Sequence, residues 1–191
     1  MVCMSFEHNI KLPLDRIGVL IGKDGNVKRM IERHCNVRLD IDSEYGDVRI
    51  KGTKPIEEME PFKAVELVTA IGRGFSPEKA MRLLNEDMIL QVIDLKEYGR
   101  SRSNLERIKG RIIGSNGKAR RFIEEYTDTD ISVYGHYVSI IGKYDDVRIA
   151  SEAIIMIING STHKSVYAML DNIKKRQKLE RLKLWEDKYE G

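Results

Sequence analysis

The sequence predicts an α+β protein made of two tandem copies of one β-α-α-β-β-α unit. Three observations carry that prediction. First, Gly18-Val19-Leu20-Ile21-Gly22-Lys23-Asp24-Gly25 lies over Gly110-Arg111-Ile112-Ile113-Gly114-Ser115-Asn116-Gly117 at an offset of 92 residues. Second, the register continues without a gap: Lys28-Arg29 over Arg120-Arg121, Ile31-Glu32 over Ile123-Glu124, Leu39 and Ile41 over Ile131 and Val133. Third, the offset then falls to 90 (Val48, Ile50 and Gly52 over Val138, Ile140 and Gly142) and to 86 (Gly74-Phe75-Ser76 over Gly160-Ser161-Thr162). Length changes thus fall between blocks and not inside them. Two copies of one fold behave this way, because loops absorb insertions and packed elements do not.

The elements follow in order. Residues 5–12 alternate as a strand, with Phe6, His8, Ile10 and Leu12 on one face. Pro13 stops it, and Leu14 to Ile21 reads as a short helix ended by Gly22. The loop Gly22–Gly25 leads into a helix from Asn26 to His34, with Val27, Met30 and Ile31 at helical spacing. Val37 to Asp42 and Val48 to Ile50 form a hairpin around the turn 43–47. A helix over 57–72 starts near Pro61, since proline is tolerated in a first turn, and Ser76 caps a further helix over 77–85. The second copy repeats this: a strand over 88–95, helices over 103–113 and 118–126, strands over 131–134 and 138–141, and a helix over about 145–159. A last helix runs from about Thr162 towards Tyr189. The domains are then 4–86, with its trailing helix, and 87–191, with a C-terminal helical extension.

Composition narrows the function. The chain has 191 residues, 33 basic and 30 acidic, for a net charge of +3. That balance excludes a polybasic tail and an acidic disordered chain. No apolar run approaches the ~20 residues of a membrane span. Glu7 and His8 break the stretch where a signal peptide needs an apolar core, so a soluble, cytoplasmic protein is expected. Residues 1–95 carry 14 basic and 16 acidic side chains; residues 96–191 carry 19 and 14. Between Gly99 and Arg121 the cations Arg100, Arg102, Arg107, Lys109, Arg111, Lys118, Arg120 and Arg121 face Glu106 as the single acid. Such a patch on a near-neutral chain reads as a polyanion-binding face, against the plainer reading of a solvated helix surface.

Several chemistries fail on spacing. Gly110–Lys118 misses the phosphate-binding Gly-x-x-x-x-Gly-Lys-[Ser/Thr] pattern, with Ala119 where the hydroxyl belongs, and Gly18–Lys23 misses it too. His8, His34, His136 and His163 have no ligand spacing, and Cys3 and Cys35 are too few for a disulfide framework or a four-cysteine zinc site. Cys35 reads as a buried small hydrophobe. Asp145-Asp146 and Glu124-Glu125 read as helix surface and caps. No catalytic residue, metal site or cofactor is expected.

The two Ile-Gly-x-x-Gly stretches, each opening a basic helix and followed by a β-hairpin, resemble the KH domain in its type I topology. Paired over essentially the whole chain, from Phe6 to about Trp185, they are similar to the archaeal members of the Krr/Pno family, two-KH proteins of small-ribosomal-subunit maturation. The resemblance implies an RNA-binding protein acting in pre-rRNA processing, with the 3′ region of small-subunit (16S) rRNA as target and a PIN-domain endonuclease as partner.

Glycines at both loop ends allow close approach of the backbone, and a helix N-terminus offers free amides to a phosphate. Candidate RNA-binding residues are Gly22, Lys23, Asp24, Gly25, Lys28 and Arg29 in the first copy. In the second they are Arg111, Gly114, Ser115, Asn116, Gly117, Lys118, Arg120 and Arg121. A KH loop of this kind holds about four nucleotides of single strand. The base side is expected to be apolar, with Ile21, Leu39 and Ile41, and with Ile113, Ile131 and Val133; core packing is the alternative for at least half of these. The second loop departs from the family by carrying Ser115-Asn116 where the first has the basic Lys23. The last helix is either packed and solvated, or a docking surface anchored by Trp185. An mRNA or single-stranded DNA binder, an adaptor using one copy for protein, and a nuclease remain as rivals.

Overall fold

A computed structural model describes residues 6–52, 54–55 and 58–186. The first repeat contains β1 (Glu7–Lys11), α1 (Leu14–Ile21), α2 (Asn26–Cys35), β2 (Val37–Ile41), β3 (Asp47–Gly52), α3 (Pro61–Gly72) and α4 (Pro77–Ala80). The second contains β4 (Met88–Asp94), α5 (Arg102–Ile113), α6 (Lys118–Thr127), β5 (Asp130–Tyr134), β6 (Tyr137–Lys143), α7 (Tyr144–Ile158) and α8 (His163–Glu186). The strands form two antiparallel three-stranded sheets, ordered β1-β3-β2 and β4-β6-β5. This is the predicted order in both copies. Ser5 and residues 187–189, placed in a strand and in the last helix by the sequence, lie outside the described residues, as do Cys3 and the side chain of Trp185.

Local chemistry explains the boundaries. Pro61 opens α3 at its first position, where its missing N–H costs nothing. Ser76 caps α4 by accepting the Lys79 amide, and Ser101 caps α5 by accepting the Asn104 amide. The helix expected over 77–85 is shorter: after Ala80 the chain tightens into a 3₁₀ turn over Met81–Leu84, with Leu83 fully buried. Both α2 and α6 end on a left-handed residue, Asn36 and Asp128, types that tolerate that conformation.

Compactness does not follow the repeat boundary. One unit comprises residues 1–94 and 130–144, the other 95–129 and 145–191. In the first unit a core of Leu20, Ile31, Leu39, Ile50, Leu67 and Ile71 lies among α1, α2, α3 and the sheet β1-β3-β2. The same unit takes in the β5–β6 hairpin. The Ser132 hydroxyl donates to the Arg73 carbonyl at 2.8 Å, and the Tyr134 hydroxyl donates to the Asp15 carboxylate at 2.6 Å. Arg73 lies over the Tyr137 ring, 3.4 Å from its centroid, and Asp130 pairs with Lys79 and Arg82. In the second unit α8 is held to α6 by Phe122 against Tyr167, with ring centroids 4.0 Å apart, and by the Tyr126 hydroxyl donating to Asp171.

Candidate nucleic-acid interface

Each Gly-x-x-Gly segment is a single 3₁₀ turn between two helices, and the two turns share one backbone path. Gly22 sits at φ 71°, ψ 176° and Gly114 at 72°, 174°; Gly25 sits at 73°, 17° and Gly117 at 74°, 13°. The third residue is left-handed in both, Asp24 at φ 54° and Asn116 at φ 52°. Asp and Asn are the non-glycine residues best suited to that region, which accounts for their presence at matched positions. Whether the second residue is Lys23 or Ser115 makes no difference to the path.

The first glycine of each turn is required twice over. Its φ is positive, and a Cβ at Gly22 would fall on Val27 Cγ2, while one at Gly114 would lie 2.7 Å from Ala119 Cβ. Gly22 N–H donates to the Gly18 carbonyl and Gly114 N–H to the Gly110 carbonyl, both at 2.9 Å, closing the preceding helix. The helices that follow, α2 and α6, have no side-chain cap and no acid in the first turn. The first amide of each already donates within the turn, Asn26 N–H to the Lys23 carbonyl and Lys118 N–H to the Ser115 carbonyl, so what each helix start offers an anion is its positive dipole end beside the exposed cations.

The cations divide into two groups. Lys23, Arg29, Lys118 and Arg121 are exposed. Arg121 donates to the Asn116 carbonyl at 2.7 Å, so its guanidinium folds over the turn; Arg29 Nη1 lies 3.2 Å from where a Gly25 Cβ would be. Lys28 and Arg120 are half-buried along their helices, with Arg120 Nε 3.6 Å from Glu124.

Arg111 stands apart from the phosphate set that the sequence suggests. It is half-buried and donates to the Ile157 carbonyl at 2.8 Å and to the Ser161 carbonyl, closing the end of α7. Arg16 does the same in the first repeat, to Ile71 at 2.8 Å and Phe75 at 2.6 Å. The carbonyls are related by the 86-residue offset, but Arg111 sits 95 residues after Arg16, about one helical turn out of register. No alignment of the repeats pairs these two arginines.

The apolar candidates also divide. Leu39 and Ile131, matched across the repeats, are core residues at 0% and 2% exposure, which leaves them no surface for a base. Their side chains face inward because β2 and β5 alternate. Ile21, Ile41, Ile113 and Val133 are half-buried. In the first unit Ile21 and Ile41 pack against the core, and Glu32 on α2 accepts the Leu39 amide at 2.8 Å, tying β2 to α2.

Two glycines that mark the repeat in the sequence each precede the turn of their own copy. Gly18 and Gly110 lie inside α1 and α5, one turn before the loop, with ordinary helical backbone and no atom within 4 Å of a would-be Cβ. Neither backbone conformation nor packing calls for glycine there. Each leaves a helix flank bare beside a half-buried isoleucine, Ile21 or Ile113. The 92-residue match of two helix-interior glycines was the available signal.

Comparison with known proteins follows the same division. Residues 7–60 match the family model described as KH domain, and residues 89–175 match that described as Eukaryotic type KH-domain (KH-domain type I). The chain is 44% identical over 180 residues to a KH domain-containing protein of Methanocaldococcus jannaschii, covering 94% of this chain and 79% of that one. It is 29% identical to the pre-rRNA-processing protein PNO1 of Chaetomium thermophilum, over 76% of this chain and 58% of that protein. Among solved structures it superposes on a Dim2 protein of Pyrococcus horikoshii, crystallised with a/eIF2α and rRNA. The TM-score is 0.83 at 45% identity, covering 91% of this chain and 96% of the other.

Proposed function

The chain belongs to the family of two-KH-domain proteins that includes the PNO1 and Dim2 ribosome assembly factors, and from that premise we propose that it holds single-stranded rRNA during small-subunit assembly. The observation that carries this reading is the identical backbone of two glycine-bounded turns, each delivering the chain into an uncapped helix beside exposed cations. The positive dipole ends of α2 and α6 attract the phosphates. Lys23 and Arg29, and Lys118 and Arg121, add the counter-charge, with Lys28 and Arg120 contributing from the helix flanks. Bases lie against the bare backbone at Gly18 and against Ile21 and Ile41 in the first copy, and against Gly110 and Ile113 in the second.

The finer assignments are the 3′ region of 16S rRNA as target, a PIN-domain endonuclease as partner, and a cytoplasmic site of action without catalysis. The first two rest on the family resemblance, and the last on the chain's lack of an apolar leader or catalytic spacing. No described helix is long and apolar enough to cross a membrane, and the described residues contain no group of three or more metal-ligating side chains.

The test is binding of the full chain to an oligonucleotide from the 3′ end of 16S rRNA and to a scrambled control, across salt. Each loop is converted in turn to Gly-Asp-Asp-Gly, by Lys23→Asp, or by Ser115→Asp with Asn116→Asp. Preference for the rRNA sequence that either variant abolishes supports the proposal. Equal, salt-sensitive binding to both RNAs removes the 16S assignment, and binding unaffected by both variants removes the loop mechanism.

A further inference from the structure

The groove at the start of α3 lies outside everything assigned above. It encloses about 460 Å³ and is lined by Met59, Glu60, Pro61, Phe62, Leu84 and Glu86, with Lys63 at its side. Phe62 occupies the second position of α3 and is 70% exposed, more than any other large apolar side chain among the described residues. Nothing in helix chemistry calls for an aromatic ring there. Yet the ring is held in place: Phe6 meets it edge-on, with centroids 5.7 Å apart. Met59 and Pro61 are buried beside it. A braced, exposed aromatic next to a concave apolar wall is the arrangement of an interface anchor rather than of a core.

The rim decides what the groove takes. Glu60 and Glu86 are exposed and make no ion pair among the described residues. Lys63, the one lining cation, is already engaged by Glu66 at 3.5 Å and by the Met88 carbonyl at 3.4 Å. The rim is therefore net negative, which repels a phosphate backbone and attracts lysine and arginine.

We propose that this groove docks a protein segment that inserts an apolar side chain against Phe62 and Met59 and brings basic residues to Glu60 and Glu86. Its occupant has the opposite charge to the ligand of the Gly-x-x-Gly turns, so the two surfaces select different partners. This inference does not rest on the RNA reading.

The experiment uses the full chain and fluorescein-labelled 12-residue peptides in three matched sets, read by anisotropy. One set carries a Phe or Leu anchor between Lys and Arg flanks. The second has the same anchors between Asp and Glu flanks, and the third keeps the basic flanks with serine for the anchor. The first set alone should bind, and both Phe62→Ala and the pair Glu60→Lys with Glu86→Lys should weaken it by about tenfold or more. The charge-reversed pair should gain affinity for the acidic set, which a misfolded variant would not do. RNA affinity, measured on Phe62→Ala, should not change. No preference for the basic apolar set, or binding that survives Phe62→Ala, would overturn the proposal. So would a fall in RNA affinity in Phe62→Ala, because the groove would then be part of the RNA surface. Failure of the RNA reading shows separately, as absence of RNA binding by the unmodified chain.

Discussion

Replacing Gly18 by alanine should raise stability and lower RNA affinity at once. A Cβ at Gly18 meets no atom within 4 Å, and the residue sits in the interior of α1 away from the positive-φ region. Nothing in the folded protein resists the methyl group, while the unfolded chain loses conformational freedom. The expected gain is therefore the ordinary helix-interior difference of about 0.5–1 kcal/mol. For a chain of this size that is a rise of roughly 1–4 °C in Tm. Bound RNA, if it packs on the bare flank, must back away from the same methyl group. Overfilling a fitted contact costs about 1–3 kcal/mol, or roughly 5- to 150-fold in Kd. The assay pairs thermal unfolding with anisotropy of a short RNA. It is run in a chain whose second loop carries Ser115→Asp and Asn116→Asp, so that only the first turn reports. Higher Tm with unchanged affinity would refute the placement of bases on this flank, and lower Tm would refute the open space. Gly110→Ala, with the first loop disabled instead, should behave alike.

Other outcomes follow from the same geometry. Gly114→Ala should behave oppositely to Gly110→Ala, because its Cβ would lie 2.7 Å from Ala119 Cβ at φ 72°; a loss of at least about 1–3 kcal/mol is expected in denaturant unfolding. Arg111→Ala should cost about 1.5–3 kcal/mol of stability through the lost bonds to the Ile157 and Ser161 carbonyls, and leave the salt dependence of RNA binding unchanged. Lys118→Ala with Arg121→Ala should instead flatten the slope of log K against log salt by about 1.4, at roughly 0.7 per phosphate contact. Cys35 is fully buried, and burial, with a smaller push from Glu60, raises its thiol to about 11. The unfolded thiol ionises at about 8.5. The folded chain should therefore keep this contribution below about pH 8.5 and lose it as pH rises through 11, and native Cys35 should resist iodoacetamide at pH 8. Peptide mass mapping that finds native Cys35 alkylated as fast as the denatured residue would contradict that burial.

The backbone of both turns was legible in the sequence because its requirements are local. Positive φ at Gly22, Asp24 and Gly25, and at Gly114, Asn116 and Gly117, is served by the few residue types that accept it, at one spacing. The repeat register, the element order and the exposed cations beside each turn follow from the same short-range periodicities. Side-chain roles did not, because their partners lie far along the chain. A count of basic residues places Arg111 with Arg120 and Arg121, and only packing shows its guanidinium bonded to carbonyls 46 and 50 residues away. Leu39 and Ile41 are alike as letters, yet one is core and the other half-buried. The groove at Phe62 joins the start of α3 to Leu84 and Glu86 across more than twenty residues, and the β5–β6 hairpin joins a compact unit from which its own repeat's helices are absent. Backbone conformation is set by neighbours in sequence, whereas burial and charge pairing are set by neighbours in space, and only the tertiary structure decides which distant residues those are.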